Sequence, residues 1–139
     1  MARILSIDYG RKRTGLAVTD PLQIISNGLA TVSTLELFQY IEQYIAAEDV
    51  ERIIIGDPKQ PNGMPSENFQ RVSSFVQRWK KAHPELPIEL YDERFTSVLA
   101  HQAMIDGGLK KKSRQDKALV DQVSATILLQ DYLASRRTK

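Results

Sequence analysis

The sequence predicts an α/β domain: a mixed β-sheet, with a three-strand antiparallel meander and further parallel strands, flanked by α-helices. Three observations carry this. The opening residues hold three short apolar or β-branched runs joined by links too short for a helix. Two later apolar runs, at residues 52–56 and 88–91, each follow a segment whose apolar residues recur at helical spacing. The last stretch is a long helical pattern. Strands that meander and then alternate with helices imply a sheet covered by helices. At 139 residues the chain is the length of one domain, 1–139. It can bury roughly 70% of its unfolded surface without staples.

Each element has a local reason. Residues 3–9 form an isoleucine-rich run ending at Asp8-Tyr9-Gly10, a buried strand. Residues 14–19 (T-G-L-A-V-T) form a second strand. The link 10–13 is hairpin length, so the two should pair antiparallel. Asp20-Pro21 is a turn, and 24–32 a third strand with a bulge or early turn at Asn27-Gly28. In 34–47, Leu35, Phe38, Ile41, Tyr44 and Ile45 recur at helical spacing, with Ser33 or Thr34 as the cap. Residues 52–56 (R-I-I-I-G) are apolar throughout, as in a central parallel strand. The proline-rich stretch 57–65 is a loop. Residues 66–81 form an amphipathic helix through Phe69, Val72, Phe75, Val76 and Trp79, capped by Ser66. Residues 88–91 form a short strand, and 96–104 a helix stopped by Gly107-Gly108. The last helix lies within 113–135, its apolar face including Leu119, Val120, Val123, Ile127 and Leu128. The ribonuclease H-like architecture has this order, as do other α/β folds.

Composition excludes several classes. There are no cysteines, hence neither disulfides nor zinc–thiolate sites. No apolar stretch approaches the roughly 20 residues that span a bilayer, and the start lacks a signal peptide's apolar core. A cytoplasmic protein is expected. Net charge is only +2, yet the cations cluster, at 11–13, at 110–117 and at 136–139, as phosphate-binding patches do. His83 and His101 have no second histidine at ligand spacing and read as surface residues. No phosphate-binding P-loop and no nucleophile-elbow serine is present.

The carboxylates carry the chemistry. Asp8 ends a buried strand, where a charge costs several kcal/mol unless paired or metal-bound. Glu93 follows the last short strand at its carboxyl end, where open α/β sheets place their sites. Neighbouring Asp92 is a competing ligand. Asp121 lies on the last helix beside its packing stripe. Small Ser124 and Ala125 on the same face let that helix lie close to the sheet, and Lys117 is a possible partner. Three carboxylates at one site repel, by roughly 3 kcal/mol per pair at about 5 Å and an effective dielectric near 20. A hard divalent cation, Mg²⁺ or Mn²⁺, relieves this with all-oxygen ligation. Two such ions about 4 Å apart can drive phosphodiester hydrolysis.

The opening I-L-S-I-D-Y-G-R-K-R-T-G-L-A-V-T-D, the loop I-I-I-G-D-P-K-Q-P-N-G-M-P-S-E-N, the run Y-D-E-R-F-T-S and the stretch K-K-K-S-R-Q-D-K-A-L-V-D-Q-V-S-A-T-I-L-L-Q-D-Y-L stand in the order and spacing of the YqgF family, also called RuvX. The chain resembles that family along nearly its whole length, departing from it at Asp57, where the family more often has an apolar residue. The resemblance implies a ribonuclease H-like fold and Asp8, Glu93 and Asp121 as catalytic, metal-binding acids. It implies a nuclease that processes the 5′ end of precursor 16S ribosomal RNA or, alternatively, resolves Holliday junctions in branched DNA. Arg13, Lys110, Lys111, Lys112 and Arg114 would hold phosphates in either case. Arg94 would orient Glu93 or touch the scissile phosphate. A monomer or homodimer is expected.

Two other classes compete. An ATP-binding protein of the actin and sugar-kinase type shares the fold, but has two domains with glycine-rich phosphate loops. Here the only adjacent glycine pair, Gly107-Gly108, follows a helix. A non-catalytic RNA-binding or regulatory module would have no need of all three acids.

Overall fold

A computed structural model describes residues 2–57, 68–92 and 117–137. Five strands form one sheet: β1 (Arg3–Asp8), β2 (Arg13–Thr19), β3 (Ser26–Ser33), β4 (Val50–Asp57) and β5 (Ile88–Asp92). Among the described residues three α-helices accompany them: α1 (Leu37–Ala47), α2 (Phe69–Ala82) and α3 (Lys117–Arg137). The sheet order is β3-β2-β1-β4-β5. β1, β2 and β3 pair antiparallel, and β4 and β5 join parallel to β1. This is the expected meander-plus-parallel sheet. The expected helix at 96–104 and the loop from Pro58 to Pro65 lie outside the described residues.

Strand alternation sorts the core into two layers. Leu5, Ile7, Leu16, Val18, Ile53 and Ile55 face α1 and α2, where Phe75 and Trp79 complete the packing. Ile4, Ala17 and Ile54 face α3, against Ala125, Leu128, Leu129, Tyr132 and Leu133. Ile53, Ile54 and Ile55 are fully buried, which explains the unbroken apolar run of β4. Each such side chain contributes on the order of 1.5–3 kcal/mol. Among the described residues no helix is long and apolar enough to cross a membrane.

The second layer is tight. A Cβ on Gly15 would strike the backbone carbonyl of Asp121 and stand 3.0 Å from that residue's own Cβ. Ser6 Oγ donates to the carbonyl of Ala125 at 2.7 Å, and Ser26 Oγ to that of Thr126 at 3.0 Å. Small residues on both sides bring α3 down onto β1, β2 and β3. The buried stripe of α3 runs through Ser124, Ala125, Leu128, Leu129, Tyr132 and Leu133, whereas Val120, Val123 and Ile127 are only half-buried. The stripe is therefore rotated from the expected one, because the helix turns its smallest residues, rather than its β-branched ones, to the sheet.

Other local expectations are adjusted in the same way. The bulge in β3 is present: Leu16 pairs Ala30 while Ala17 pairs Gly28, leaving Leu29 as the extra residue. Neither Ser33 nor Thr34 caps the following helix through its side chain. Thr34 instead donates to the carbonyl of Gly10 at 2.7 Å and meets Thr14 Oγ1 at 2.9 Å, fastening the β1–β2 link. The expected cap Ser66 lies outside the described residues, and α2 starts at Asn68, whose Nδ2 donates to the carbonyl of Tyr9 at 2.8 Å. His83 is half-buried rather than fully exposed. It stacks on Trp79 at 4.2 Å and bonds Glu42 of α1 at 2.9 Å. His101 lies outside the described residues.

The far end of α3 is held by a polar cluster. Tyr132 donates to Glu89 at 2.5 Å, and Arg52 pairs with the same carboxylate at 3.0 Å. Burial alone would raise the Glu89 carboxyl, but the bonds from Tyr132 and Arg52 outweigh it and hold Glu89 below its ordinary 4.5. The folded value is depressed, so the stabilisation is present above the unfolded pKa and is lost as pH falls through the folded one. Chemical denaturation of wild type and Glu89→Gln should therefore show a stability gap that is flat near neutral pH and closes in acid; a gap that widens in acid contradicts the assignment. Gly15→Ala should destabilise by about 1–3 kcal/mol, the usual range for overpacking, read from the same unfolding curves. An unchanged midpoint would show that α3 is not seated on Gly15.

Candidate functional site

β1, β4 and β5 run parallel and end together. Asp8 closes β1, and Ile7 of that strand pairs Ile55 of β4. Asp57 closes β4 in register with Asp92, the last residue of β5. The carboxyl ends of three parallel strands thus form one rim, the place where open α/β sheets carry their sites.

Asp8 pairs Gly15 across the β1–β2 ladder. Directly opposed residues in an antiparallel pair point to one face, with Cβ positions about 5 Å apart. Gly15 faces α3, since its missing Cβ would meet Asp121. Asp8 and Asp121 therefore flank a single glycine on the α3 face of the sheet. This juxtaposition joins residues 8 and 121 of the chain, and it follows from the close seat of the helix.

Arg13 completes what the structure describes of this corner. Its Nε lies 3.3 Å from Asp121 Oδ2, with the guanidinium side chain 44% exposed. The sequence offered Lys117 as a partner of Asp121, and its side chain lies outside the described residues; among those described, Arg13 pairs with Asp121 from 108 positions earlier in the chain. One cation beside two acids offsets part of their repulsion while remaining open to solvent.

Of the remaining expected site residues, Glu93, Arg94, Lys110, Lys111, Lys112 and Arg114 lie outside the described residues, and of Asp92 only the backbone is described. Among the described residues no group of three carboxylate or histidine side chains is assembled. Asp57, at the same rim, follows Ile55 in strand alternation and so falls on the α1–α2 side, away from Asp8. Gly15 is the residue that sequence reasoning missed. The signal available was a glycine inside a strand, a mark of close backbone approach.

The sheet order and the helix seated on the meander define the class: an α/β domain of the ribonuclease H-like kind. Comparison narrows the class to a family. The family model described as "RuvX: Holliday junction resolvase" matches residues 2–135. A protein of Phocaeicola vulgatus is 62% identical over 137 residues, covering 99% of each chain. One from Bacteroides thetaiotaomicron is 63% identical with the same coverage, and one from Flavobacterium johnsoniae 53%. All three carry the name "Putative pre-16S rRNA nuclease". Among solved structures, Thermus thermophilus RuvC in complex with a Holliday junction substrate superposes with a TM-score of 0.58. It shares 16% identity and covers 99% of this chain and 96% of its own, a likeness of fold. The chain belongs to the RuvX family, as its motifs implied.

An exposed ion pair contributes little to stability, about 0–1 kcal/mol. Arg13→Ala should accordingly shift the urea midpoint only slightly. A loss above about 2 kcal/mol would show that the guanidinium carries a structural charge balance that its exposure does not suggest.

Proposed function

We propose that this protein is a divalent-metal-dependent endonuclease acting in 5′-end processing of precursor 16S ribosomal RNA. The observation that carries the reading is the pairing of Asp8 with Asp121 across Gly15 at the rim of the parallel strands. The relatives' shared name supplies the substrate class. β5 delivers the chain to this rim at Asp92, and the reading takes Glu93, next in sequence, as the third acid.

The donor set fits a hard cation. Two acids on either side of one glycine, with aspartate oxygens as donors and no cysteine in the chain, suit Mg²⁺ or Mn²⁺. Asp8, Asp121 and Glu93 would hold it. When bound, such an ion polarises the phosphodiester and lowers the pKa of a bound water. The chain's own part is positional. Strand β1 and helix α3 fix their carboxylates from rigid elements, and Arg13 meets the phosphate with a guanidinium that suits its geometry. Arg94 and the basic run Lys110, Lys111, Lys112 and Arg114 extend the phosphate contacts. Resolution of branched DNA is the second reading, favoured by the description of the matched family model.

A precursor ribosomal RNA fragment and a four-way DNA junction, each incubated with protein and Mg²⁺, Mn²⁺ or EDTA, test both readings. Cleavage should require the divalent ion and fall at least 100-fold in Asp8→Asn and in Asp121→Asn, the order of a lost acid–base or electrostatic contribution. Mg²⁺ should also raise the melting temperature of wild type more than that of either variant, by mass action on the folded state. Cleavage that survives EDTA, or that survives Asp8→Asn, would refute the mechanism. Preference between the two substrates decides the reading.

A further inference from the structure

Helix α2 carries Arg71, Arg78, Lys80 and Lys81 and no carboxylate, although the whole chain is only +2. Solvated helix faces ordinarily mix signs. Gln70, Arg71, Ser74 and Arg78 share its exposed face and, with Tyr9 and Phe75, line a groove of about 350 Å³. Tyr9 immediately follows Asp8, and Asn68, at the start of α2, holds its carbonyl. The groove therefore opens at the residue next to the candidate catalytic acid and runs away from it along α2.

Its cations are set for a ligand. The Arg78 guanidinium lies over Phe38 at 5.2 Å and over Phe75 at 6.0 Å, which fixes its position while leaving its donors available. Among the described residues neither Arg71 nor Arg78 forms an ion pair. Seven helical residues separate them by about 10 Å along the axis, far enough for the two guanidiniums to meet different phosphates of one strand. Tyr9, half-buried against Phe75 with ring centres 5.7 Å apart, offers an aromatic edge at the mouth, the combination that single-strand channels use.

We infer that the groove of Tyr9, Arg71, Ser74 and Arg78 is the path by which one strand of the nucleic-acid substrate leaves the carboxylate site, its phosphates held by Arg71 and Arg78. This deepens, and rests on, the nuclease reading. The groove lies on the opposite face of the sheet from Asp121, and neither Arg71 nor Arg78 is among the phosphate-binding residues expected from the sequence.

The test is fluorescence anisotropy of a labelled single-stranded oligoribonucleotide with the Asp8→Asn protein in Mg²⁺, titrated across about 50–200 mM salt. Adding Arg71→Ala and Arg78→Ala should raise Kd about tenfold and reduce the salt slope by about 1.4, two phosphate contacts at 0.7 each. Arg71→Lys with Arg78→Lys should keep most of the slope. Arg71→Ala alone, at an exposed site, should lose half of it, and this variant decides the matter if loss of Arg78 from its aromatic seat unfolds the protein. Unchanged Kd and slope in the alanine variants, with the parent binding well, overturn the groove and leave the nuclease reading intact. Failure of the parent to bind the oligoribonucleotide overturns the groove and the ribosomal-RNA reading together, and leaves the branched-DNA reading to the cleavage assay.

Discussion

The absence of one side chain, at Gly15, sets the geometry of the candidate site. Helix α3 approaches β2 so closely that the carbonyl of Asp121 occupies the space a Cβ would need. The same approach demands Ser6 and Ala17 beneath the helix and Ser124 and Ala125 upon it, all buried. Small residues contribute little transfer free energy on burial. Their value here is the short distance, which brings the acid of α3 beside the acid of β1.

That proximity has an electrostatic cost, and the surrounding elements show how it is contained. Two carboxylates flanking one residue repel by a few kcal/mol at intermediate dielectric, so the helix must be held down by something else. It is fastened at both ends. Near Asp121, Arg13 supplies a charge, and Ser6 and Ser26 bond the helix carbonyls. Toward its far end, Tyr132 and Arg52 share Glu89, and Leu128, Leu129 and Leu133 bury against Ile4 and Ile54. With the helix anchored in this way, the two acids are held near one another. On the proposed metal-dependent reading, a cation between them would relieve their repulsion.

Much of this was legible in the sequence because the strands announce themselves. The isoleucine run of β4 and the hairpin spacing of β1 and β2 fix the sheet, and the bulge beside Gly28 follows from Asn27-Gly28. What was not legible depends on pairing at a distance. The stripe of α3 looked as if it should centre on Val123 and Ile127, because hydropathy weighs size; packing against a glycine and two serines rewards the smallest face instead. Thr34 looked like a cap but spends its side chain on the β1–β2 link, and Asn68, which the sequence reading did not single out, spends its own on Tyr9. Sequence spacing cannot show such a bond across the fold. Arg13 as the partner of Asp121 belongs to the same category. Of the acids, Asp8 and Asp121 could be singled out by their isolation at a strand end and on a helix, but only the register Asp8–Gly15 explains why they meet.

The alternation of a β-strand links chemistry to binding in this molecule. Asp8 and Tyr9 are consecutive, so they leave β1 toward opposite faces of the sheet. Asp8 looks to α3 and the acids; Tyr9 looks to α2 and its uncompensated arginines. On the inferred path, a strand of nucleic acid with its scissile phosphate at Asp8 would cross the rim to reach Tyr9. Phosphates held on the α2 side would then bend the substrate over the end of β1 and present the bond at the rim to the acids. Binding energy gathered on one face can in this way orient a reaction on the other, with the turn after Asp8, fastened by Thr34 and Asn68, as the fulcrum.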